Sequence, residues 1–600
     1  MRSKTSCFNA AFFGRTLLRL WPLWAIASAI FFFLLPAPLW QTCSNGWSVW
    51  TQGGRTVCLT RDVTYSFIGT QLPVLMAMLG CLSAMFAWRW LNASRSANCY
   101  FSLPLRREGL FLTHFAAGYC ATLIPIVFVC LTTFIVSACY GAADARSLLT
   151  MLVTGAAAGL LFFSLGTLCA MATGHTVAVP VFFVIANFLV AGVFLLVTYI
   201  LGMFVFGMGP VGTPRVVFAL TPLLNLTNQC VPITRDVSVG WDTLSYLGAV
   251  SNLWYYGAYA GAGAVLAGIS MLMLRRRPAE SAGDIIAFRV LRPVFQIGLS
   301  VCFGLAMTVF IESMYFLRTS RSMPVTLLLV VAWSFVGFFG AEMLLRKSFR
   351  VFRAKAIRTW AVLAVVIAAA FASVGLDAFG YESRIPDEAD VASVSLQALG
   401  TYDEVDYETA YAVHRAILDA RDTSANQWNV FIDYRLKNGR TVSRNYEIDT
   451  ESEAYRLLHA WATKPESLEQ AAFGSLASTD QLLDLTVYDY LETYDSASLA
   501  IENEADAEAI LEAIRADFAE GNSGFDFQWG GGSADPASLD LRYQVTMSYY
   551  VRPYDPSAWK SRADYTANCS TSWTYIYIPS NMTHTCQLLE TLIPQLRQAP

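Results

Sequence analysis

Residues 92–109 read NASRSANCYFSLPLRREG, a polar stretch set between two long apolar runs. Asparagine and serine at its start favour the beginning of a helix, and the Leu-Pro-Leu triplet indicates a turn. The stretch is too long for a tight turn and too polar to lie in lipid. It therefore predicts an ordered amphipathic insert at the surface of a membrane domain, of the kind that receives mechanical input from a cytoplasmic partner.

The 600-residue chain is 55% hydrophobic and only 14% charged, whereas soluble proteins carry nearer a quarter charged residues. Residues 1–379 hold 26 Lys/Arg and 10 Asp/Glu, and residues 380–600 hold 15 and 35. This division predicts a membrane domain followed by an acidic α+β domain. No basic patch with interleaved aromatic residues is present in the sequence, so nucleic acid is not an expected partner.

Nine segments are apolar and long enough for a membrane-spanning helix, which needs about 20 residues. They are residues 20–40, 65–88, 110–139, 148–172, 176–207, 251–274, 294–317, 325–345 and 360–379. With the N-terminus inside, the inner segments carry 19 Lys/Arg and the outer loops carry 7. Basic residues accumulate in cytoplasmic loops. The sequence therefore predicts a multi-pass protein of the cell membrane with a cytoplasmic N-terminus and, since nine is odd, an extracytoplasmic C-terminal domain.

Residues 6–21, SCFNAAFFGRTLLRLW, precede the first span and place Arg15 and Arg19 one helical turn apart. This pattern favours a helix lying in the inner membrane interface, with its basic side towards lipid headgroups. The alternative is a positive flank that only orients the first span.

Two acidic residues occur in the apolar segments, Glu312 near the outer end of the seventh and Glu342 near the inner end of the eighth. Pairing with Arg318 or Arg346, or solvation, is favoured over a proton or substrate relay. Two cysteine pairs, Cys43 with Cys58 and Cys569 with Cys586, are candidates for disulfides in an oxidising compartment. The sequence predicts no metal or other cofactor site.

The insert combines apolar and charged side chains that suit docking in a groove of a partner protein. These candidate coupling residues are Tyr100, Phe101, Leu103, Leu105, Arg106, Arg107 and Glu108. An ordinary interfacial loop with a topological role is the alternative. A P-loop needs Gly followed by Lys, and that dipeptide does not occur in the sequence. ATP would therefore have to be bound by a partner subunit.

Three stretches resemble recurring segments of ABC-2-type transporter permeases: FFGRTLLRLWPLW at 12–24, FSLPLRREGLF at 101–111 and RRRPAESAGDIIAF at 275–288. The resemblance covers about residues 1–275 and is closest to a Gram-positive subgroup with extra spans and a C-terminal extracytoplasmic domain. It implies a six-span permease core at 1–275, three additional spans at 276–379 and an outer domain at 380–600. It also implies an ATP-driven transporter, usually an exporter, built from two permease and two ATPase subunits. Residues 100–108 would be the coupling helix, and residues 12–21 would belong to the interface helix.

The outer domain reads as alternating strands and helices. Strands are predicted at 391–396, 430–434, 441–448, 485–490, 539–549 and 573–578, and helices at 408–421, 452–461, 504–519 and 585–596. The pattern predicts two related α+β lobes. No nucleophile elbow or His-Glu-x-x-His motif occurs in the sequence, so the chain is not expected to be an enzyme. The alternative function is a membrane-anchored receptor or sensor whose outer domain binds a ligand.

Overall fold

A computed structural model describes most of the chain. The described residues are 8–45, 49–52, 55–102, 106–209, 211–239, 242–314, 322–398, 401–420, 427–449, 451–474, 476, 479–489, 498–501, 503–523, 541–555, 565 and 569–598. Contacts divide the chain into two compact units. The first comprises Met1–Ile200 and Thr213–Ala372, and the second comprises Leu201–Gly212 and Ser373–Pro600.

The first unit is almost entirely helical. Its helices are α1 (Ala10–Arg19), α2 (Trp21–Leu34), α3 (Pro36–Ser44), α4 (Leu59–Thr70), α5 (Leu72–Ala87), α6 (Ser94–Phe101), α7 (Arg107–Cys139), α8 (Ala145–Ala172), α9 (Ala178–Phe204), α10 (Arg215–Ala219), α11 (Pro222–Gln229), α12 (Trp254–Arg276), α13 (Leu291–Met314), α14 (Met323–Arg346) and α15 (Ala354–Gly375). Two antiparallel hairpins join them, β1 (Val49–Gln52) with β2 (Arg55–Cys58), and β3 (Pro232–Val239) with β4 (Asp242–Val250). Short 3-10 helices lie at Arg89–Asn92 and Ala279–Ser281.

Within the described residues, eight helical stretches are long and apolar enough to cross a membrane, with α2 and α3 counted as one. A ninth is formed if α4 and α5, which meet at an angle of 54°, are one broken span. These stretches match the nine predicted segments and suggest a membrane protein. The break follows from Pro73 in the first turn of α5, because proline has no N–H to continue the hydrogen bonds of α4.

Helices of this unit approach closely where one of them carries glycine. A Cβ on Gly263 of α12 would lie 2.9 Å from Leu161 Cα in α8, and one on Gly80 of α5 would lie 2.8 Å from the backbone of Phe162. Small residues allow such backbone contact between apolar helices, where van der Waals packing stabilises association. The helix α8 is therefore the centre of the unit, packed by α5, α7 and α12.

The second unit contains two four-stranded antiparallel sheets. The first lobe consists of β5 (Val391–Ala398), β6 (Thr401–Val405), α16 (Tyr407–Ala420), β7 (Gln427–Leu436), β8 (Thr441–Asp449) and α17 (Glu453–Ala462). The helix α18 (Pro465–Phe473) follows it. The second lobe consists of β9 (Leu482–Asp489), β10 (Ser498–Ala500), α19 (Glu504–Ala519), β11 (Leu541–Tyr550), β12 (Thr571–Pro579) and α20 (Thr583–Gln598).

Both lobes have the same topology. The strand orders are β6-β5-β7-β8 and β10-β9-β11-β12, so each lobe is a strand–strand–helix–strand–strand–helix unit with the same neighbours. This repeat confirms the predicted pair of related lobes. One hydrophobic core spans both lobes, and α18 contacts β6 of the first as well as β12 and α19 of the second.

The segment that follows α9 is part of the second unit rather than the first. Phe206 packs on Tyr446 of β8 with ring centroids 5.1 Å apart, and Met208 forms a β-bridge with Arg444. Gly207 has φ +73°, and a Cβ there would lie 2.2 Å from the Tyr446 ring. The predicted fifth segment, 176–207, therefore ends in residues that belong to the second unit, which the sequence did not indicate.

Candidate functional site

The helix α6, inside the predicted insert, has a polar exposed side and an aromatic inner side. Arg95, Asn98 and Ser102 are exposed and lie three to four residues apart, so they share one face of the helix. Ala97 is buried, and Tyr100 and Phe101 are half-buried on the other side. The predicted coupling residues Leu103 and Leu105 lie outside the described residues.

An aromatic cluster anchors this inner side. The Tyr100 ring centroid is 4.5 Å from that of Trp90 and 6.1 Å from that of Phe12 in α1. Trp90 in turn lies 5.4 Å from the ring of His114 in α7. Tyr100 and Phe101 therefore attach α6 to the interior of this chain, while the exposed polar face remains accessible.

The N-terminal helix α1 is attached to the same place. Asn9 accepts hydrogen bonds from the backbone N–H groups of Ala11 and Phe12 and thereby caps the helix. The Asn9 backbone N–H donates to Thr113 Oγ1 at 3.2 Å, and Thr16 Oγ1 lies 3.1 Å from His114 Nδ1. The predicted interface helix thus exists as a helix, and it packs against the start of α7.

Two predicted coupling residues, Arg107 and Glu108, contact the end of α12. Arg107 Nη1 donates to the carbonyl oxygens of Leu274, Arg275 and Arg277 at 2.8–3.3 Å. Glu108 forms a 2.5 Å ion pair with Arg275. A positive side chain is favourable at a helix C-terminus, where carbonyls lack partners within the helix. These two residues therefore join α7 to α12, whereas Arg106, which was also predicted to couple, is exposed.

Arg277 is a residue that the sequence analysis missed. Its side chain is 2% exposed and donates to the carbonyls of Ala170 and Met171 at the end of α8, at 2.8 and 3.1 Å. Burial lowers the pKa of Arg277 to about 10, so the guanidinium remains charged at neutral pH. It lies in the Arg275–Arg277 run, where only its neighbours are exposed. Nothing in that run distinguished the buried arginine from the other two.

Four of the segments predicted to be cytoplasmic meet at this site. The Gly174 N–H donates to Asp284 O at 2.7 Å, and Ala287 N–H donates to Ala172 O at 2.8 Å. Asp284 also pairs with Arg292 and Lys347 at 3.2 and 2.9 Å. The loop after α8, the segment after α12 and the end of α14 are thus joined, and the 3-10 helix Ala279–Ser281 of the segment after α12 contacts α6.

The two acids in apolar helices are each hydrogen-bonded, but only Glu342 forms an ion pair. Glu342 accepts from Gln296 Nε2 at 3.0 Å and forms an ion pair with Arg346 one turn away. Glu312 accepts from Thr326 Oγ1 at 2.6 Å, and its suggested partner Arg318 lies outside the described residues. These contacts favour the pairing interpretation for Glu342 and give no polar chain between the two acids.

The cysteine predictions have different outcomes. Cys43 is buried, and the side chain of Cys58 lies outside the described residues, so that pair stays a prediction. The expected Cys569–Cys586 disulfide is not formed. Cys569 precedes the nine-residue strand β12 and its Sγ lies 3.8 Å from Arg552 O, whereas Cys586 follows the strand and its Sγ lies 3.5 Å from Pro579 O. The extended strand holds the two thiols at its opposite ends.

One group of possible metal ligands occurs in the described part of the outer domain. Asp517, Glu520 and His584 place their ligand atoms within 4.8 Å of one another. Asp517 is buried and accepts from the backbone N–H groups of His584 and Thr585, so it caps α20. His584 Nε2 lies 3.0 Å from Glu520, and this hydrogen bond raises the pKa of His584. Capping and ion pairing thus account for the three side chains.

No family model, curated protein or solved structure matches this chain. The site described above therefore has to be interpreted from its own geometry.

Proposed function

We propose that this protein is the permease subunit of an ATP-driven transporter of the ABC-2 type, and that it works as an exporter. A separate ATPase subunit supplies the energy, and a second permease subunit completes the transport unit. The observation that carries the proposal is α6, whose exposed face is polar and whose inner face is held by aromatic residues. A helix that must transmit force needs both an accessible surface and a firm attachment.

The contacts of α6 with the rest of the chain provide a route for that force to α7 and α12. Displacement of α6 would act through Tyr100 and Trp90 on His114 in α7, since closely packed side chains have low compressibility. Displacement of the start of α7 would act through Arg107 on the end of α12. Two long helices thus respond to one short helix.

The proposed membrane topology follows from the distribution of basic residues. We place the protein in the cell membrane with α6 inside, because basic residues favour the cytoplasmic side. The second unit, which includes the segment after α9, is then extracytoplasmic.

The test is affinity purification of the tagged chain from its native membrane in mild detergent, followed by mass spectrometry and an ATPase assay. We expect a P-loop ATPase to co-purify with the wild-type chain. The double variant Arg95→Glu, Arg106→Asp reverses two exposed charges on and beside α6 and should release the ATPase. The matched control is Arg146→Glu, an exposed arginine at the start of α8, which is placed on the outer side and should retain it.

Purification of the folded wild-type chain without any ATPase would contradict the proposal. In that case the receptor function, with ligand binding by the outer domain, becomes the better explanation. Loss of the ATPase in both charge variants would indicate a general electrostatic effect and would also count against docking at α6.

A further inference from the structure

The second lobe of the outer domain has one sheet face in the core and one towards solvent. Along β11, Val545 and Met547 are buried, while Gln544, Thr546 and Ser548 alternate with them on the other side. Alternate residues of a strand point to opposite faces of a sheet. The neighbours of Gln544, Thr546 and Ser548 in the adjoining strands therefore share this outer face.

On β12 these neighbours are all aromatic. Trp573, Tyr575 and Tyr577 lie opposite Ser548, Thr546 and Gln544 in the register of the two strands. The ring centroids of Trp573 and Tyr575 are 5.9 Å apart with the planes 23° from parallel, and Tyr575 and Tyr577 are 5.4 Å apart. The Trp573 side chain is 68% exposed. A single exposed aromatic residue is ordinary, but a contiguous row of them is typical of an interaction surface.

The strand β9 pairs with the other edge of β11. Its residues opposite Ser548, Thr546 and Gln544 are Asp484, Thr486 and Tyr488. Tyr488 is 40% exposed. Thr486 Oγ1 donates to Asp484 at 3.2 Å, so the single carboxylate has a local partner. We call these nine positions on β9, β11 and β12 the aromatic platform. It is an aromatic row beside rows of hydroxyl and amide groups.

The charges of the platform and of the surrounding domain restrict the chemical class of ligand that can bind there. The platform contains no lysine or arginine, and residues 380–600 hold 35 acidic and 15 basic residues, so a polyanion would be repelled. For a cationic ligand the platform offers a single carboxylate, Asp484, and its eight other side chains are neutral. Gln544 Nε2 donates to Thr546 Oγ1 at 3.4 Å. A purely apolar ligand would remove the Thr546 and Ser548 hydroxyl groups from water without giving them a new hydrogen bond, which is unfavourable. A neutral ligand with apolar faces and many hydroxyl groups meets all three conditions.

We propose that the aromatic platform binds an uncharged oligosaccharide chain. The C–H face of a sugar ring packs on the faces of Trp573 and Tyr575, and the sugar hydroxyl groups exchange hydrogen bonds with Thr546 and Ser548. Alternate residues of a strand are about 6.6 Å apart, so the aromatic row extends over more than one sugar ring. This inference is independent of the transport function and concerns a different surface.

The test uses the full chain in lipid nanodiscs, because many detergents carry sugar headgroups that would compete. Fluorescently labelled neutral oligosaccharides, such as hexamers of glucose and of N-acetylglucosamine, are titrated and followed by fluorescence anisotropy. We expect binding by the wild type and a loss of roughly tenfold in affinity for Trp573→Ala, the size of one aromatic contact. Trp573→Phe should recover part of it. The control Tyr411→Ala, a partly buried tyrosine of α16, should bind as the wild type does.

Because Trp573 is mostly exposed, its replacement should leave the unfolding temperature unchanged, and this is measured in parallel. Absence of binding to any neutral oligosaccharide would overturn the inference, as would binding that survives Trp573→Ala. Trp573-dependent binding of a lysine- or arginine-rich peptide without oligosaccharide binding would overturn it in favour of a cationic ligand.

Discussion

The buried Arg277 shows how one side chain can hold two helix ends. Arg277→Met retains the aliphatic stem but removes the donors to the Ala170 and Met171 carbonyls, which are then left unpaired. We expect a loss of about 1.5–3 kcal/mol in unfolding free energy, the range for hydrogen bonds to a charged group. Thermal unfolding in nanodiscs measures this. The exposed neighbour serves as control, and Arg276→Met should change stability by no more than about 0.5 kcal/mol.

His414 is buried like Arg277, but it is buried in its neutral form. Its Nδ1 and Nε2 atoms lie 2.8 and 2.7 Å from the hydroxyl groups of Tyr434 and Tyr446. Burial, with a smaller effect of Arg444, lowers the pKa of His414 from 6.5 to about 4. The unfolded chain therefore binds more protons between these values, and the outer domain loses stability as pH falls from about 6.5 to about 4.

The expected loss over that window is on the order of 3 kcal/mol. Hydrogen exchange of α16 in the full chain, measured between pH 4 and pH 8, should show faster opening at the acidic end. His414→Phe cannot take up a proton and should reduce this dependence, although it also loses both tyrosine hydrogen bonds. An unchanged pH dependence in that variant would show that another group is responsible.

At the scale of the element, the aromatic anchor of α6 can be separated from its exposed face. Tyr100→Ala removes the ring that packs on Trp90, so α6 should undock and exchange its amide hydrogens at least about tenfold faster. Asn98→Ala changes the exposed face and should leave exchange unaltered. Equal exchange in the two variants would show that the ring does not hold the helix.

The sequence analysis found a helix in this insert but expected the coupling helix at residues 100–108, whereas α6 is Ser94–Phe101 and Arg107 begins α7. The helix at the start of the insert and its amphipathic character were evident from the Ser/Asn start and the Leu-Pro-Leu triplet. The roles of Arg107 and Glu108 were not, because their partners at Leu274–Arg277 lie more than 160 residues away. The duplication of the lobes was predicted from the order of strands and helices, whereas most of the strand pairing became known only from the structure.

At the scale of the whole molecule, native cysteines allow the orientation to be tested. Cys99 on α6 and Cys139 at the end of α7 are both exposed, and the charge pattern places them on opposite sides of the membrane. In variants whose only remaining cysteine is one of these two, a membrane-impermeant maleimide should label Cys139 in intact cells. Cys99 should be labelled only after permeabilisation. The reverse labelling pattern would mean that Cys99 is extracytoplasmic and that the C-terminal domain is cytoplasmic.

The bridge between Met208 and Arg444 has a consequence for how the protein is made. The ribosome releases Met208 long before Arg444, which follows 236 residues later. Phe206 and Gly207 are therefore synthesised before four more apolar helices, α12 to α15, and have no β8 to pack against until those helices are made. The first lobe consequently finishes folding only after nearly three quarters of the protein has emerged, and a fragment that starts at residue 380 lacks a piece of its own core. Production of that lobe alone would need residues 205–209 restored, for example by fusing them to its C-terminus.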